Sequence, residues 1–345
     1  MKNQSVLFLK PGVAALQETE LPPMGATSVL VRTLYSAISA GTERANLMGE
    51  KNISGTDEHL PVRFPRQLGY SSTGIVETVG SAVSGVAPGD RVICHFGKHN
   101  RYNVMEEDSV FRLTDSSLSA EEAALMVIGC FPLLGLRRTR LEIGESVLIL
   151  GMGILGLIGV QLLRAAGAVP VIAADFSPER RAMALQMGAD LALDPREETF
   201  LEQVREKTHG GANVVIEVTG AVSALEMALR AAAPFGRISL LGCTRQPVPE
   251  VDLYHRVHAV GVELIGANHF ARAQRESRPG CWTWRDDCAA LVRLAEGGRL
   301  RLKPLIGEIV SPADAPQVYA RLAEHPESFP IGVLFDWTKL GGAQQ

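Results

Sequence analysis

Ser146-Val-Leu-Ile-Leu-Gly151-Met-Gly153-Ile-Leu-Gly156-Leu-Ile-Gly-Val-Gln-Leu-Leu163 is the longest uncharged run in the chain, and it decides the fold. Val147–Leu150 is an apolar run of strand length, and the apolar stretch beyond it is long enough for a helix. A G-x-G-x-x-G at such a strand-to-helix turn is the arrangement that holds a dinucleotide. Gly151 permits the tight turn, Gly153 lets backbone approach a pyrophosphate, and Gly156 lets the helix pack on the strand. Ile154 and Leu155 open that helix, so its unpaired N–H groups and positive dipole end face the phosphates. The run nearly reaches the length of a membrane span, but four glycines break it.

Downstream, Val169-Pro-Val-Ile-Ala-Ala ends at Asp175, 19 residues after Gly156. A carboxylate there accepts the ribose hydroxyls of an adenosine and repels a 2′-phosphate, so NAD is expected rather than NADP. Arg180 and Arg181 follow on the next helix and keep NADP as the alternative. Strand candidates continue at Leu191–Leu193, Val214–Val218, Arg237–Leu241 and Val262–Ile265, with helices Ile154–Ala166, Pro178–Met187, Glu198–Thr208 and Ala221–Ala233 between them. Alternation of this kind gives an α/β, doubly wound parallel sheet covered on both faces. Thr219-Gly220 and Leu241-Gly242 end two of its strands, at the edge where dinucleotides bind. Upstream, residues 1–125 show short apolar runs punctuated by Gly and Pro, as in Ser28–Leu34, Gly74–Thr78, Arg91–His95 and Val110–Leu113, which reads as a β-rich domain. Past residue 300 come a strand (Leu305–Ile309), a helix (Pro312–Ala323) and a last strand (Gly332–Phe335).

The whole chain, 345 residues with 46% apolar and 21% charged side chains, has room for two domains and the composition of an ordered globular protein. A formal charge of −4 offers no basic excess for nucleic acid or an anionic membrane. Five cysteines at irregular gaps, none in a C-x-x-C pair, fit neither a disulfide scaffold nor a structural zinc lobe. The N-terminal segment lacks the apolar core of a signal peptide, so a cytoplasmic protein is expected.

Gly69-Tyr70-Ser71-Ser72-Thr73-Gly74-Ile75-Val76 with Val79-Gly80, then Gly89-Asp90-Arg91-Val92, Gly151–Gly156, Leu185–Asp190 and Asn213–Gly220 appear in order along the chain. In these the sequence resembles the medium-chain dehydrogenase/reductase superfamily over nearly its full length. The resemblance implies a GroES-like β-domain from both chain ends (1–125 and 300–345) and a Rossmann domain between (126–299), with the active site in a cleft where they meet. It also implies a homodimer or homotetramer acting on a small hydroxylated substrate. Ser36-Ala-Ile-Ser-Ala-Gly-Thr-Glu43 and Gly69-Tyr70 are similar to a subgroup with the bacteriochlorophyllide hydroxyethyl dehydrogenase and sugar- and cyclitol-modifying dehydrogenases.

The departures bear on mechanism. Zinc-dependent members carry Cys near 39, Gly-His-Glu at 69–71 and Cys or Glu near 130, whereas this chain has Ser39, Gly69-Tyr70-Ser71 and Cys130. A serine hydroxyl and a neutral phenol are poor zinc ligands, so no metal is expected. The resemblance gathers Ser39, Thr42, Tyr70 and Cys130 around the vacated position, with His95 and His99 running past it. His99 is the expected proton acceptor, with His95 as a second histidine. Tyr70 is expected to donate to the oxyanion or relay a proton, and Glu43 either polarises Tyr70 or pairs with Arg44. Glu43, Cys130, Asn268, His269 and Trp282 are the candidate substrate contacts, the last three in an Arg- and Trp-rich loop suited to a polar, ring-shaped or anionic molecule. The leading expectation is a zinc-independent, NAD-dependent alcohol or polyol dehydrogenase. A zinc-free enone or quinone reductase and a non-catalytic NAD-binding protein are the alternatives.

Overall fold

The computed structural model describes residues 2–51, 62–246 and 251–340. The chain forms two compact units, Met1–Ile128 with Leu302–Gln345, and Gly129–Arg301. The family resemblance implies boundaries at 125/126 and 299/300; the structure draws the first one inside a helix.

The first unit opens with a hairpin, β1 (Lys2–Lys10) and β2 (Val13–Glu20), neither of which was expected from sequence. In β1, Asn3 and Ser5 are buried alongside Val6 and Phe8, so polar residues interrupt the two-residue alternation that would have revealed it. β3 (Ser28–Ala37) leads to α1 (Ala40–Met48), then β4 (Ser71–Val79), β5 (Arg91–His95), β6 (Tyr102–Glu106), β7 (Val110–Arg112) and the single turn α2 (Ala120–Ala123). Gly69, just before β4, has φ +117°, and a Cβ there would lie 2.4 Å from the His99 backbone nitrogen, so only glycine fits that turn.

α3 (Met126–Arg138) leads into the second unit, where β8 (Val147–Leu150), α4 (Ile154–Ala165), β9 (Val171–Ala174), α5 (Pro178–Met187), β10 (Leu191–Leu193), α6 (Phe200–Lys207), β11 (Ala212–Glu217), α7 (Val222–Ala231), β12 (Ala232–Leu240), β13 (Glu263–Gly266) and α8 (Trp284–Glu296) follow. Six parallel strands align in the order β10-β9-β8-β11-β12-β13. β8 and β9 are buried along their whole length, which is why they read as continuous apolar runs. The β9 ladder begins two residues later than the sequence suggested, because Pro170 has no N–H to donate.

β14 (Glu308–Val310), α9 (Ala315–Glu324) and β15 (Val333–Asp336) return to the first unit. They extend its seven-stranded sheet, β14-β15-β3-β4-β5-β7 with β6 also on β3. Val6, Phe8 and Leu47 from the start of the chain share one core with Tyr319, Phe335 and Trp337 from its end. Among the described residues, no helix is long and apolar enough to cross a membrane.

Candidate functional site

Each glycine of the β8–α4 turn has a separate physical reason. Gly151 sits at φ +99°. A Cβ on Gly156 would lie 1.9 Å from the Gly151 carbonyl oxygen, while one on Gly153 would meet nothing within 4 Å. The turn is therefore tight below and open above, and α4 starts on Gly153 with no side chain capping its first N–H groups. The first N–H groups of α4 therefore stay open to an anion.

Asp175, at the end of β9, fixes this turn from the side. Its Oδ2 accepts from Met152 N at 2.7 Å and its Oδ1 from Ser177 N at 2.9 Å. A carboxylate has about four acceptor positions, so two bonds leave room for ribose hydroxyls. Arg181 does not lie free beside it: Nη1 donates to Asp175 O, Phe176 O and Asp194 Oδ2 at 2.8, 2.9 and 3.1 Å. Arg196 lies 5.2 Å above the Phe176 ring and holds Asp194 well below the usual carboxylate range. Arg180 places its main-chain N–H on Ser177 Oγ, in the first turn of α5.

Across β8, Glu217 organises the next two strand ends, a role absent from the sequence reading. Its carboxylate is 1% exposed and accepts from Thr219 N, Thr219 Oγ1 and Gly220 N. Its main-chain oxygen takes the N–H groups of Leu241 and Gly242. A Cβ on Gly242 would lie 2.2 Å from Gly220 N, so the two turns touch. Burial pushes the Glu217 carboxyl up. The available signal was a charge closing the apolar run Val214-Val-Ile-Glu217.

The loop after β13 carries Asn268, His269 and Arg272. Asn268 Oδ1 accepts from Phe270 N, and its Nδ2 reaches Cys243 Sγ at 3.9 Å. The His269 ring lies 5.9 Å from Phe131 and 3.8 Å from Phe270, and burial followed by the nearby Arg272 charge lowers its pKa. Trp282 was expected to present its ring to a substrate, but the Arg137 guanidinium covers one face at 3.5 Å. Cys130 was also expected to meet substrate. It is instead buried within the second unit, its Sγ 3.9 Å from Trp284 O and its thiol against Cys288.

In the first unit, Tyr70 and Ser39 come together as expected, the phenol donating to Ser39 Oγ at 2.7 Å. Tyr70 stacks on Phe96, and His95 meets the same ring edge-on. Thr42 lies in the first turn of α1, its carbonyl taken by Asn46 Nδ2.

His99 and Glu43 differ from expectation. His99 is 1% exposed with both ring nitrogens engaged, Nδ1 with Ser36 Oγ at 2.7 Å and Nε2 with Glu43 Oε2 at 3.1 Å. No alcohol reaches it there, so it is a core histidine and not the proton acceptor. Arg44 pairs with Glu50, and Glu43 turns into the core. It is fully buried and also accepts from Ser39 N at 2.9 Å and Tyr319 Oη at 2.5 Å. A proton on His99 Nε2 lets every group serve: Trp337 Nε1 donates to Ser36 Oγ, Ser36 to His99, and His99 to Glu43. Burial and Glu43 push the Tyr319 phenol up, which keeps it a donor.

This donor set does not fit zinc. Among the described residues, no three His, Cys, Asp or Glu side chains converge. Ser39 and Tyr70 supply only hydroxyls, bonded to each other.

Residues 25–131 match the alcohol dehydrogenase GroES-like domain family, and residues 155–277 match the zinc-binding dehydrogenase family. The chain is 30% identical to an L-threonine 3-dehydrogenase of Pyrococcus furiosus, covering 88% of this chain and 90% of that protein. It is 28% identical to a D-guloside 3-dehydrogenase of Escherichia coli, over 94% and 98%. The structure of galactitol-1-phosphate dehydrogenase from Escherichia coli superposes with a TM-score of 0.81 at 22% identity, over 96% of this chain and 99% of that one. With a GroES-like domain and a parallel-sheet domain, the chain belongs to the medium-chain dehydrogenase/reductase superfamily and is an oxidoreductase of its alcohol dehydrogenase-like kind.

Proposed function

We propose that the protein is an NAD-linked dehydrogenase that interconverts a secondary alcohol and a ketone on a sugar- or cyclitol-like ring, without a catalytic zinc. The Asp175 carboxylate carries this reading: it is anchored on the glycine turn with acceptor positions to spare, and Arg181 beside it is already committed. A 2′-phosphate would meet a negative charge there. The named relatives that act on hydroxylated small molecules support the substrate class.

The nicotinamide, when bound, accepts or delivers the hydride. Gly151, Gly153 and the α4 N-terminus bind the pyrophosphate, Asp175 the adenosine ribose, and Thr219, Gly220, Leu241 and Gly242 line the remaining edge. Tyr70 is assigned to the oxygen on which charge develops: its one O–H, donated to Ser39 Oγ in this structure, turns to that oxygen while the Ser39 hydroxyl donates to the phenol oxygen in its place.

Asp175→Ala removes a charged acceptor of two hydroxyls, worth about 1.5–3 kcal/mol. The KM for NAD should rise roughly 10- to 100-fold while that for NADP falls, in steady-state assays with each cofactor. Equal use of both cofactors by the unaltered protein would refute the ribose assignment. Tyr70→Phe should lower kcat on the order of 100-fold and leave NADH affinity unchanged; full turnover would remove Tyr70 from the mechanism. Activity should survive dialysis against a chelator, and elemental analysis giving one zinc per chain, lost together with activity, would sink the metal-free reading.

A further inference from the structure

β6 is an edge strand: among the described residues it pairs with β3 alone. The odd-numbered positions face that ladder, since Thr33 N donates to Arg101 O at 2.9 Å and Glu107 N to Thr27 O at 3.1 Å. The bonding of an antiparallel pair repeats every two residues, so the main-chain groups of Tyr102 and Val104 point away from β3. On Tyr102 an amide already sits. The Asn3 side chain accepts from Tyr102 N at 3.0 Å and donates to Tyr102 O at 2.9 Å, the two bonds a neighbouring strand would make. At Val104, the next outward position, neither the N–H nor the C=O has a partner among the described residues.

Val104 gives onto a cavity of about 510 Å³, bounded by β1, the end of β2, β6 and the loop of residues 96–100. Its volume is that of a small-molecule site, and all of it belongs to the first unit. Three charged side chains line it, Glu20, Arg66 and Lys98, and none of them is in an ion pair among the described residues. Arg66 donates only to neutral oxygens, Arg63 O and Asn46 Oδ1. The charges around the rim are engaged elsewhere. Lys2 pairs with Glu18, Glu106 accepts from the hydroxyls of Thr27 and Ser28, and Arg101 donates to Gln4 and lies 6.0 Å from the centre of the Tyr102 ring.

The cavity thus offers a strand-edge donor and acceptor together with unpaired charges of both signs. A neutral sugar answers neither charge. A simple anion suits Lys98 and Arg66 but faces Glu20, and it brings no N–H to the edge. A peptide carries all the complements at once: an N–H and a C=O spaced for a strand, an ammonium at one end and a carboxylate at the other. Three extended residues span about 10 Å, enough to put one residue on the edge and leave both ends to the side chains. We infer that the cavity binds a free peptide of about three residues as a zwitterion, its central residue paired with Val104 and its ends on Glu20 and on Lys98 with Arg66. None of the residues assigned to the dinucleotide takes part, so the site does not depend on the dehydrogenase reading.

The experiment is calorimetric titration of the full-length protein with trialanine, with N-acetyl-trialanine amide and with sodium acetate. Trialanine should bind saturably, and the capped peptide about tenfold more weakly because its ends are neutral. Val104→Pro deletes the outward N–H and touches no bond of the β3 ladder, a place where an edge strand tolerates proline; it should weaken trialanine about tenfold. Val104→Ile keeps the N–H and should bind as the unaltered protein does. Glu20→Gln and Lys98→Gln, both at exposed side chains, should weaken trialanine and leave the capped peptide unchanged, and they carry the test if the proline variant does not fold. The inference fails if trialanine shows no saturable binding or if Val104→Pro binds it undiminished. Equal affinity for the capped peptide would also overturn it, in favour of a segment of a longer chain. Acetate binding as tightly as trialanine would reduce the cavity to an anion site and refute the peptide.

Discussion

Gly156→Ala should weaken dinucleotide binding by as much as about 100-fold. The added methyl would lie 1.9 Å from the Gly151 carbonyl oxygen, and that carbonyl belongs to the turn that must cradle the pyrophosphate, so relief of the clash displaces the site itself. Overpacking of this size costs about 1–3 kcal/mol, which corresponds to as much as 100-fold in affinity when the displaced atoms are the binding atoms. Gly153→Ala is the contrasting case. It has open space around its Cβ and a negative φ of −72°, so the fold should be unaffected or gain a few tenths of a kcal/mol, while NADH binding weakens because the methyl occupies the pyrophosphate approach. Calorimetric NADH titration together with thermal unfolding checks both. Normal affinity in Gly156→Ala, or a destabilised Gly153→Ala, would contradict the assigned geometry.

Glu43→Ala should be the most destabilising single change in the first unit. It strips the acceptor from Ser39 N, His99 Nε2 and Tyr319 Oη at once, all of them buried. Removing one member of a buried polar network costs about 3–5 kcal/mol, and a domain of this size loses roughly 2–4 °C of Tm per kcal/mol. Thermal denaturation should therefore fall by roughly 6–20 °C. Tyr319→Phe removes a single donor and should cost much less. A Glu43→Ala protein with unchanged Tm would show that the network contributes little.

The second unit was legible because its information is local. Val147–Leu150, Pro178–Met187 and Leu191–Leu193 fall where periodicity and caps put them, with Pro178 at the first helical position and Gly188 ending the helix in a left-handed turn. The dinucleotide turn is equally local, six residues whose reasons are all steric. Glu43 and His99 were misread because their partners are remote in sequence. Nothing near residue 99 announces Ser36, and nothing near residue 43 announces Tyr319. The open edge at Val104 was hidden for the same reason, because Asn3, which occupies the position beside it, lies 99 residues before Tyr102.

The bond between Glu43 and Tyr319 joins residues 276 positions apart. At the ribosomal pace of about 5–20 residues per second, roughly 15–55 s pass between the synthesis of the carboxylate and of its phenol. Throughout that interval the parallel-sheet unit, contiguous from 129 to 301, can complete itself, whereas the N-terminal sheet lacks β15 and its core lacks Tyr319, Phe335 and Trp337. The first unit thus closes only after the parallel-sheet unit between its two halves has been made, and its buried acid remains wet until Tyr319 emerges.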